Sequence, residues 1–222
     1  MGPEATILLQ RKLLNAVPAQ DDSDHIPLLI DMNTQVPSRI AHLIEGTGVD
    51  PNQVLGDMAR RLQDAGATAL AMPCNTAHHY AKAISDRVDI PLLNMVELSA
   101  DLAAIKLGKG GCVGMLASPA VRYTKLFETS LVQRGLSVIW PADDAATLGA
   151  IKLIKSHGAC DRARDAMCAA SVELASTGAD LQFVACSEFS LIADSVAPDV
   201  TAIDTIDVLT QAIVDFSLNP NL

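Results

Sequence analysis

Apolar residues along the chain fall into short continuous runs separated by longer amphipathic stretches, and that alternation predicts the architecture. Pro27-Leu28-Leu29-Ile30, Ile90–Asn94, Cys112–Leu116, Leu136–Trp140 and Val200–Ile203 read as short buried strands. Two more strands run from the Gly-Ala pairs at Gly66 and Gly178 up to Cys74 and Cys186. Helical spacing covers Thr6–Val17, Asp50–Asp64, Glu97–Leu107, Arg122–Arg134, Leu148–Ser156, Asp161–Ser176 and Thr205–Phe216. Further helices are expected behind each cysteine, the first reaching Arg87. Strands alternating with helices at short separations predict an α/β protein of mainly parallel sheets flanked by helices.

The pattern is written twice. Gly66-Ala67-Thr68-Ala69-Leu70-Ala71-Met72-Pro73-Cys74-Asn75-Thr76 is matched by Gly178-Ala179-Asp180-Leu181-Gln182-Phe183-Val184-Ala185-Cys186-Ser187-Glu188. The glycine-to-cysteine spacing is the same in both copies, and Leu62 and Leu174 precede their cysteines at equal distances. Gly108-Lys109-Gly110-Gly111 is the clearest linker. The expected division is a first lobe of residues 1–107 and 205–222 and a second of 111–204. One element breaks the symmetry. The helix around Arg122–Arg134 follows a strand and a Ser118-Pro119 turn, whereas the first helix follows only Met1-Gly2-Pro3. The repeat therefore predicts a strand ahead of Met1; either the chain is cut short there, the favoured reading, or the first lobe manages with one strand fewer.

Composition narrows the function. Half the residues are hydrophobic and the mean hydropathy is +0.27, enough for a sizeable core. A formal net charge of −10 and a pI near 4.8 argue against nucleic-acid or anionic-membrane partners. No apolar run approaches the roughly 20 residues that span a bilayer, and the first residues lack a signal-peptide layout, so a cytoplasmic protein is expected. The five cysteines are odd in number and widely spaced, which disfavours disulfides, and their spacing fits no zinc motif. Their chemistry should be that of free thiols, without a metal.

Cys74 and Cys186 stand where parallel strands end and helices begin, the side of such sheets on which ligands bind. Backbone N–H groups and the helix dipole there favour the thiolate, the reactive form. Two such thiols on opposite sides of one carbon could remove a proton from one face and return one to the other. Asn75, Thr76 and Ser187 follow the cysteines and supply hydrogen-bond donors; Arg39, after the Val36-Pro37-Ser38 turn, is a natural fork for a carboxylate.

These residues resemble the aspartate/glutamate racemase family. The matching segments are Met1-Gly2-Pro3-Glu4-Ala5-Thr6, Asn33-Thr34-Gln35-Val36-Pro37-Ser38-Arg39, Pro73-Cys74-Asn75-Thr76-Ala77-His78 and Ala185-Cys186-Ser187-Glu188. The resemblance implies two pseudo-symmetric Rossmann-like lobes with the active site in the cleft between them, no pyridoxal or other cofactor, and a homodimer. It implies Cys74 and Cys186 as paired acid and base acting on a small amino acid or dicarboxylate. Arg39 and a second-lobe lysine, Lys155 or failing that Lys152, would hold the carboxylates, with Met1, Asn75, Thr76, Ser118 and Ser187 completing the site. The second cysteine motif carries Ala185 and Ser187 where the family usually has glycine and threonine, and Ser118 lies where threonines are common.

The expected activity is cofactor-independent racemisation of an acidic amino acid, aspartate ahead of glutamate. The alternatives are a dicarboxylate cis–trans isomerase or decarboxylase of the same superfamily, or a non-catalytic protein that binds acidic metabolites. Cys112 and Cys168 read as small core residues, Cys160 has no evident partner, and Gly110-Gly111 is a linker rather than a phosphate loop. His78, about one helical turn beyond Cys74, either faces the thiol or serves as a capping or solvated residue.

Overall fold

The computed structural model describes residues 2–218; Met1, one of the expected site residues, lies outside them. The chain opens with α1 (Pro3–Ala16), which starts at Pro3 because a first-turn residue needs no N–H partner. Then follow α2 (Arg39–Leu43), capped by Ser38 Oγ, and α3 (Asn52–Asp64). β1 (Leu70–Ala71), a 3₁₀ turn at Thr76–Tyr80, α4 (Ala81–Ser85), β2 (Leu92–Leu93) and α5 (Met95–Leu107) complete the first run.

The second run is more regular. It comprises β3 (Cys112–Ala117), α6 (Pro119–Tyr123), α7 (Leu126–Gln133), β4 (Ser137–Ile139), α8 (Asp144–His157), α9 (Asp161–Ser176) and β5 (Leu181–Ala185). A kinked 3₁₀ segment at Phe189–Ser195, β6 (Ala202–Asp204) and α10 (Thr205–Leu218) follow.

All pairings are parallel, β1 with β2 in one sheet and β4-β3-β5-β6 in the other. The strand order reverses between β3 and β5, whose ends are in register at Ala117 and Ala185. Ser118 and Cys186, the next residue of each strand, therefore flank the point at which ligands bind in open α/β sheets. Phe127 and Leu131 of α7 with Val96, Ala100 and Ala103 of α5 cover one sheet face; Ile151 and Ile154 of α8 with Met167 and Leu174 of α9 cover the other. The last helix, α10, packs on α1 and α5, so the chain returns to its first half after crossing the second.

Four expectations need correction. Residues 26–30 form no strand, and Leu28, Leu29 and Ile30 are exposed. A strand persists only where a neighbour takes up its backbone hydrogen bonds; the first sheet holds two strands among the described residues, and neither pairs with this segment. The helix expected over Arg122–Arg134 is two helices, because Lys125 adopts a left-handed φ of 52° between α6 and α7. The strand leading to Cys74 stops at Ala71, since Pro73 brings no N–H to a ladder. The turns behind both cysteines begin as 3₁₀ rather than α-helix, so each thiol stands just ahead of a tight turn.

Candidate active site

Each cysteine loop is tied down by the side chain four residues on. His78 Nδ1 lies 2.9 Å from the Cys74 carbonyl, and the Met95 N–H at the start of α5 donates to His78 Nε2 at 3.2 Å. Since Nε2 accepts, Nδ1 carries the proton and the ring is neutral. Burial lowers its pKa to about 4, opposed by the bond to Cys74. Ser190 is the counterpart in the other half. Its hydroxyl lies 2.8 Å from Asp204 Oδ1 and 3.3 Å from the Cys186 carbonyl, and Asp204 Oδ1 in turn receives the Ile206 N–H at the start of α10. Both latches join a cysteine turn to the helix after the next strand. His78 is thus neither solvated nor aimed at a thiol.

One chain of hydrogen bonds links the two cysteine arms. Asn75 Nδ2 donates to Thr205 Oγ1 at 3.0 Å, and the Thr205 hydroxyl donates to the Val184 carbonyl at 3.1 Å. A hydroxyl has one proton, so Thr205 must accept from Asn75, which fixes the orientation of that amide. The residue after Cys74 is thereby fastened to the strand that ends in Cys186. Asn75 is buried, and its Oδ1 has no hydrogen-bond partner among the described residues.

The surroundings of the two thiols differ. Cys186 is 6% exposed, and its Sγ–H donates to Glu188 Oε2 at 3.1 Å. Burial, and then the negative charge of Glu188, push the Cys186 thiol pKa well up. Ser187 Oγ donates to the same oxygen at 3.3 Å, while Lys155 Nζ lies 3.4 Å from Glu188 Oε1. Of the two lysines considered, Lys155 reaches the Cys186 side, whereas Lys152 lines a groove between α8 and α9 with Arg162 and Ala166. A Cβ built on Gly2 would stand 3.4 Å from Glu188 Oε1, so the start of α1 borders this cluster.

Cys74 is half-buried, and its N–H and carbonyl are engaged within its own turn and latch. Near it stands Tyr80, whose hydroxyl lies 2.7 Å from His42 Nδ1 and whose pKa is pushed up to about 12 by burial and then by Asp50, with Arg39 opposing. Arg39 Nη1 donates to the Pro37 carbonyl at 2.8 Å and the Val36 carbonyl at 3.3 Å, which pins its guanidinium to the turn that sequence placed before it. Its helix α2 packs against α6, the helix that Ser118 caps. The Ser118 hydroxyl accepts from the Ala120 N–H at 3.3 Å as the α6 cap and keeps its proton free to donate. Thr76 begins the turn behind Cys74, half-buried.

Most expected site residues thus gather at the strand ends of two sheets. Three participants were not singled out from sequence. Glu188 was visible in the second cysteine motif. Thr205 and Tyr80 become recognisable only from their contacts. Among the described residues no cluster of three or more His, Cys, Asp or Glu side chains has the arrangement of a metal site, and no helix is long and apolar enough to cross a membrane.

Residues 1–213 match the family described as Asp/Glu/Hydantoin racemase, and the chain belongs to that family of amino-acid racemases. A broad specificity amino-acid racemase, RacX of Bacillus subtilis, is 25% identical over 162 residues, 71% of this chain and 68% of that protein. A glutamate racemase of Persephonella marina is 30% identical over 80 residues, 36% of this chain and 30% of that one. Among solved structures, the aspartate racemase of Picrophilus torridus superposes with a TM-score of 0.87 at 23% identity, covering 97% of this chain and 90% of that one. The last likeness establishes the two-lobed fold.

Proposed function

We propose that the protein racemises an acidic amino acid, aspartate ahead of glutamate, by proton transfer between Cys74 and Cys186 without a cofactor. The observation that carries this reading is the path Asn75–Thr205–Val184, which fastens the turn of one cysteine to the strand of the other. The Cys74 thiolate takes the α-proton from one face. The electron pair left on carbon spreads into the substrate carboxylate, and the Cys186 thiol gives its proton to the opposite face. Cys74 ends as thiol and Cys186 as thiolate, ready for the reverse direction. Positioned acid and base contribute about 10²–10⁴-fold in such steps.

The fork of Arg39 and the ammonium of Lys155 pair with the two substrate carboxylates, and Ser118 and Ser187 offer hydroxyls from the ends of adjoining strands. The buried acceptor Asn75 Oδ1 suits the substrate ammonium. Gly2, at the start of α1, borders the Cys186 side. Preference for aspartate follows the sequence resemblance, as does the homodimer; light scattering on the purified protein tests the dimer.

Incubation of either enantiomer of aspartate in heavy water should give the racemate with deuterium at the α-carbon. A panel of acidic and neutral amino acids, maleate and a decarboxylatable malonate runs alongside. Turnover of a diacid with no exchange into any amino acid would replace the racemase reading by the isomerase or decarboxylase one; thermal stabilisation without turnover would replace it by simple binding.

A further inference from the structure

We infer that Glu188 is the positioning residue of the Cys186 arm: its carboxylate holds the proton on that thiol and occupies Lys155 until a substrate carboxylate takes its place. The second half of this statement rests on the racemase reading; the first does not.

One carboxylate serves three neighbours. Oε2 receives the Cys186 S–H at 3.1 Å and the Ser187 hydroxyl at 3.3 Å, and Oε1 faces the Lys155 ammonium at 3.4 Å. The same Oε1 lies against Gly2, at the start of the long helix α1, where free N–H groups favour an anion. The Glu188 side chain is 14% exposed, whereas Lys155 is 45% exposed and free to swing. Glu188 thus faces a mobile cation and lies beside a helix start, the two kinds of group that would receive an incoming carboxylate.

Binding then becomes an exchange of one carboxylate for another at Lys155. Once Lys155 turns to the substrate, the uncompensated charge of Glu188 holds the proton on Sγ more firmly. In the direction that needs Cys186 as base, that proton must first leave Sγ for solvent, against the charge of Glu188. In the empty site the proton stays on sulfur, which sets Cys186 as the donor for the first turnover. Enantiomers have equal free energies, so kcat/KM must be equal in the two directions. The bias set by Glu188 therefore shows as unequal KM and kcat values that differ in the same ratio.

The thiol is read directly by iodoacetamide alkylation of the full chain, with the Cys186 peptide quantified by mass spectrometry. Glu188→Gln should speed alkylation of Cys186 by about tenfold or more, because a negative charge and an S–H acceptor are removed. Lys155→Met should slow it, because Glu188 is left unneutralised. Opposite signs separate an electrostatic role from a loosened site, which would speed both. Unchanged or slower alkylation in Glu188→Gln, or faster alkylation in Lys155→Met, overturns the assignment; Lys155→Met also serves if Glu188→Gln does not fold. With the amino acid that turns over, Glu188→Gln should lower KM several-fold and bring the KM values of the two enantiomers together; a raised KM overturns the exchange at Lys155. Racemase inactivity of the unaltered protein on the whole panel, with both alkylation responses as stated, removes the racemase reading and leaves the Glu188–Cys186 assignment standing.

Discussion

The two cysteine arms share a plan and differ in chemistry. Each thiol stands between a parallel strand and a 3₁₀ turn, and each cysteine loop is latched by the side chain four residues later to the start of a helix. The Cys74 arm uses a buried neutral imidazole and leaves its thiol half-exposed, without a carboxylate among its hydrogen-bond partners in the described residues. The Cys186 arm uses a serine and an aspartate, and places a carboxylate on the thiol itself. Duplication preserved the geometry of delivery while the polarity of the neighbours diverged. Under the proposed two-thiol mechanism, environments that differ in this way assign the acid and base roles before substrate arrives.

Removing either thiol tests the shared plan and carries the largest expected effect. Cys74→Ala and Cys186→Ala should each reduce racemisation by about 10²–10⁴-fold, measured by polarimetry, with similar losses in both directions.

The latches should differ most clearly with pH. His78 is neutral when folded, with a pKa near 4, while in the unfolded chain it returns to the ordinary value of 6.5. Between those values the unfolded chain binds the extra proton, so this stability is full above pH 6.5 and is lost as pH falls toward 4. The loss amounts to about 3 kcal/mol at one and a third kcal/mol per pKa unit. Denaturation of His78→Gln should show a shallower fall over the same window, while Ser190→Ala should retain the histidine contribution.

Substrate contacts come next. Arg39→Lys keeps the charge and loses the fork, and should raise KM about 10-fold with little change in melting temperature. Asn75→Ala breaks the tie to Thr205 and should cost about 1–2 kcal/mol in urea denaturation. The smallest effect is expected for Ser190→Ala. It removes one hydrogen bond to Asp204, whose carboxyl burial already pushes upward in pKa, for about 1–1.5 kcal/mol.

How much of this was legible in the sequence varied with the kind of interaction. Continuous apolar runs such as Cys112–Leu116 and long helices such as Asp161–Ser176 were readable because burial imposes a local period. Residues 27–30 misled for the same reason: apolar runs report a preference for burial, whereas a strand also needs a neighbour that no local pattern reveals. The break at Lys125 left no signal, since a lysine in a left-handed conformation is a local exception. In the site, Cys74 and Cys186 announced themselves by repetition, and Lys155 only through the family resemblance. The pairings that give them meaning, Thr205 with Asn75 and Glu188 with Lys155, join distant parts of the chain and became visible only when it was folded.

The claim that the arms serve opposite faces of one carbon is tested most directly by hydrogen exchange in the single cysteine variants. Each enantiomer of the substrate is incubated in heavy water with Cys74→Ala or Cys186→Ala, and α-deuterium is followed by mass spectrometry or NMR. With one thiol left, a proton can be removed and returned on one face only. Each variant should therefore exchange a single enantiomer without inverting it, and the two variants should choose opposite enantiomers. Exchange of the same enantiomer by both variants, or undiminished racemisation by either, would contradict the account.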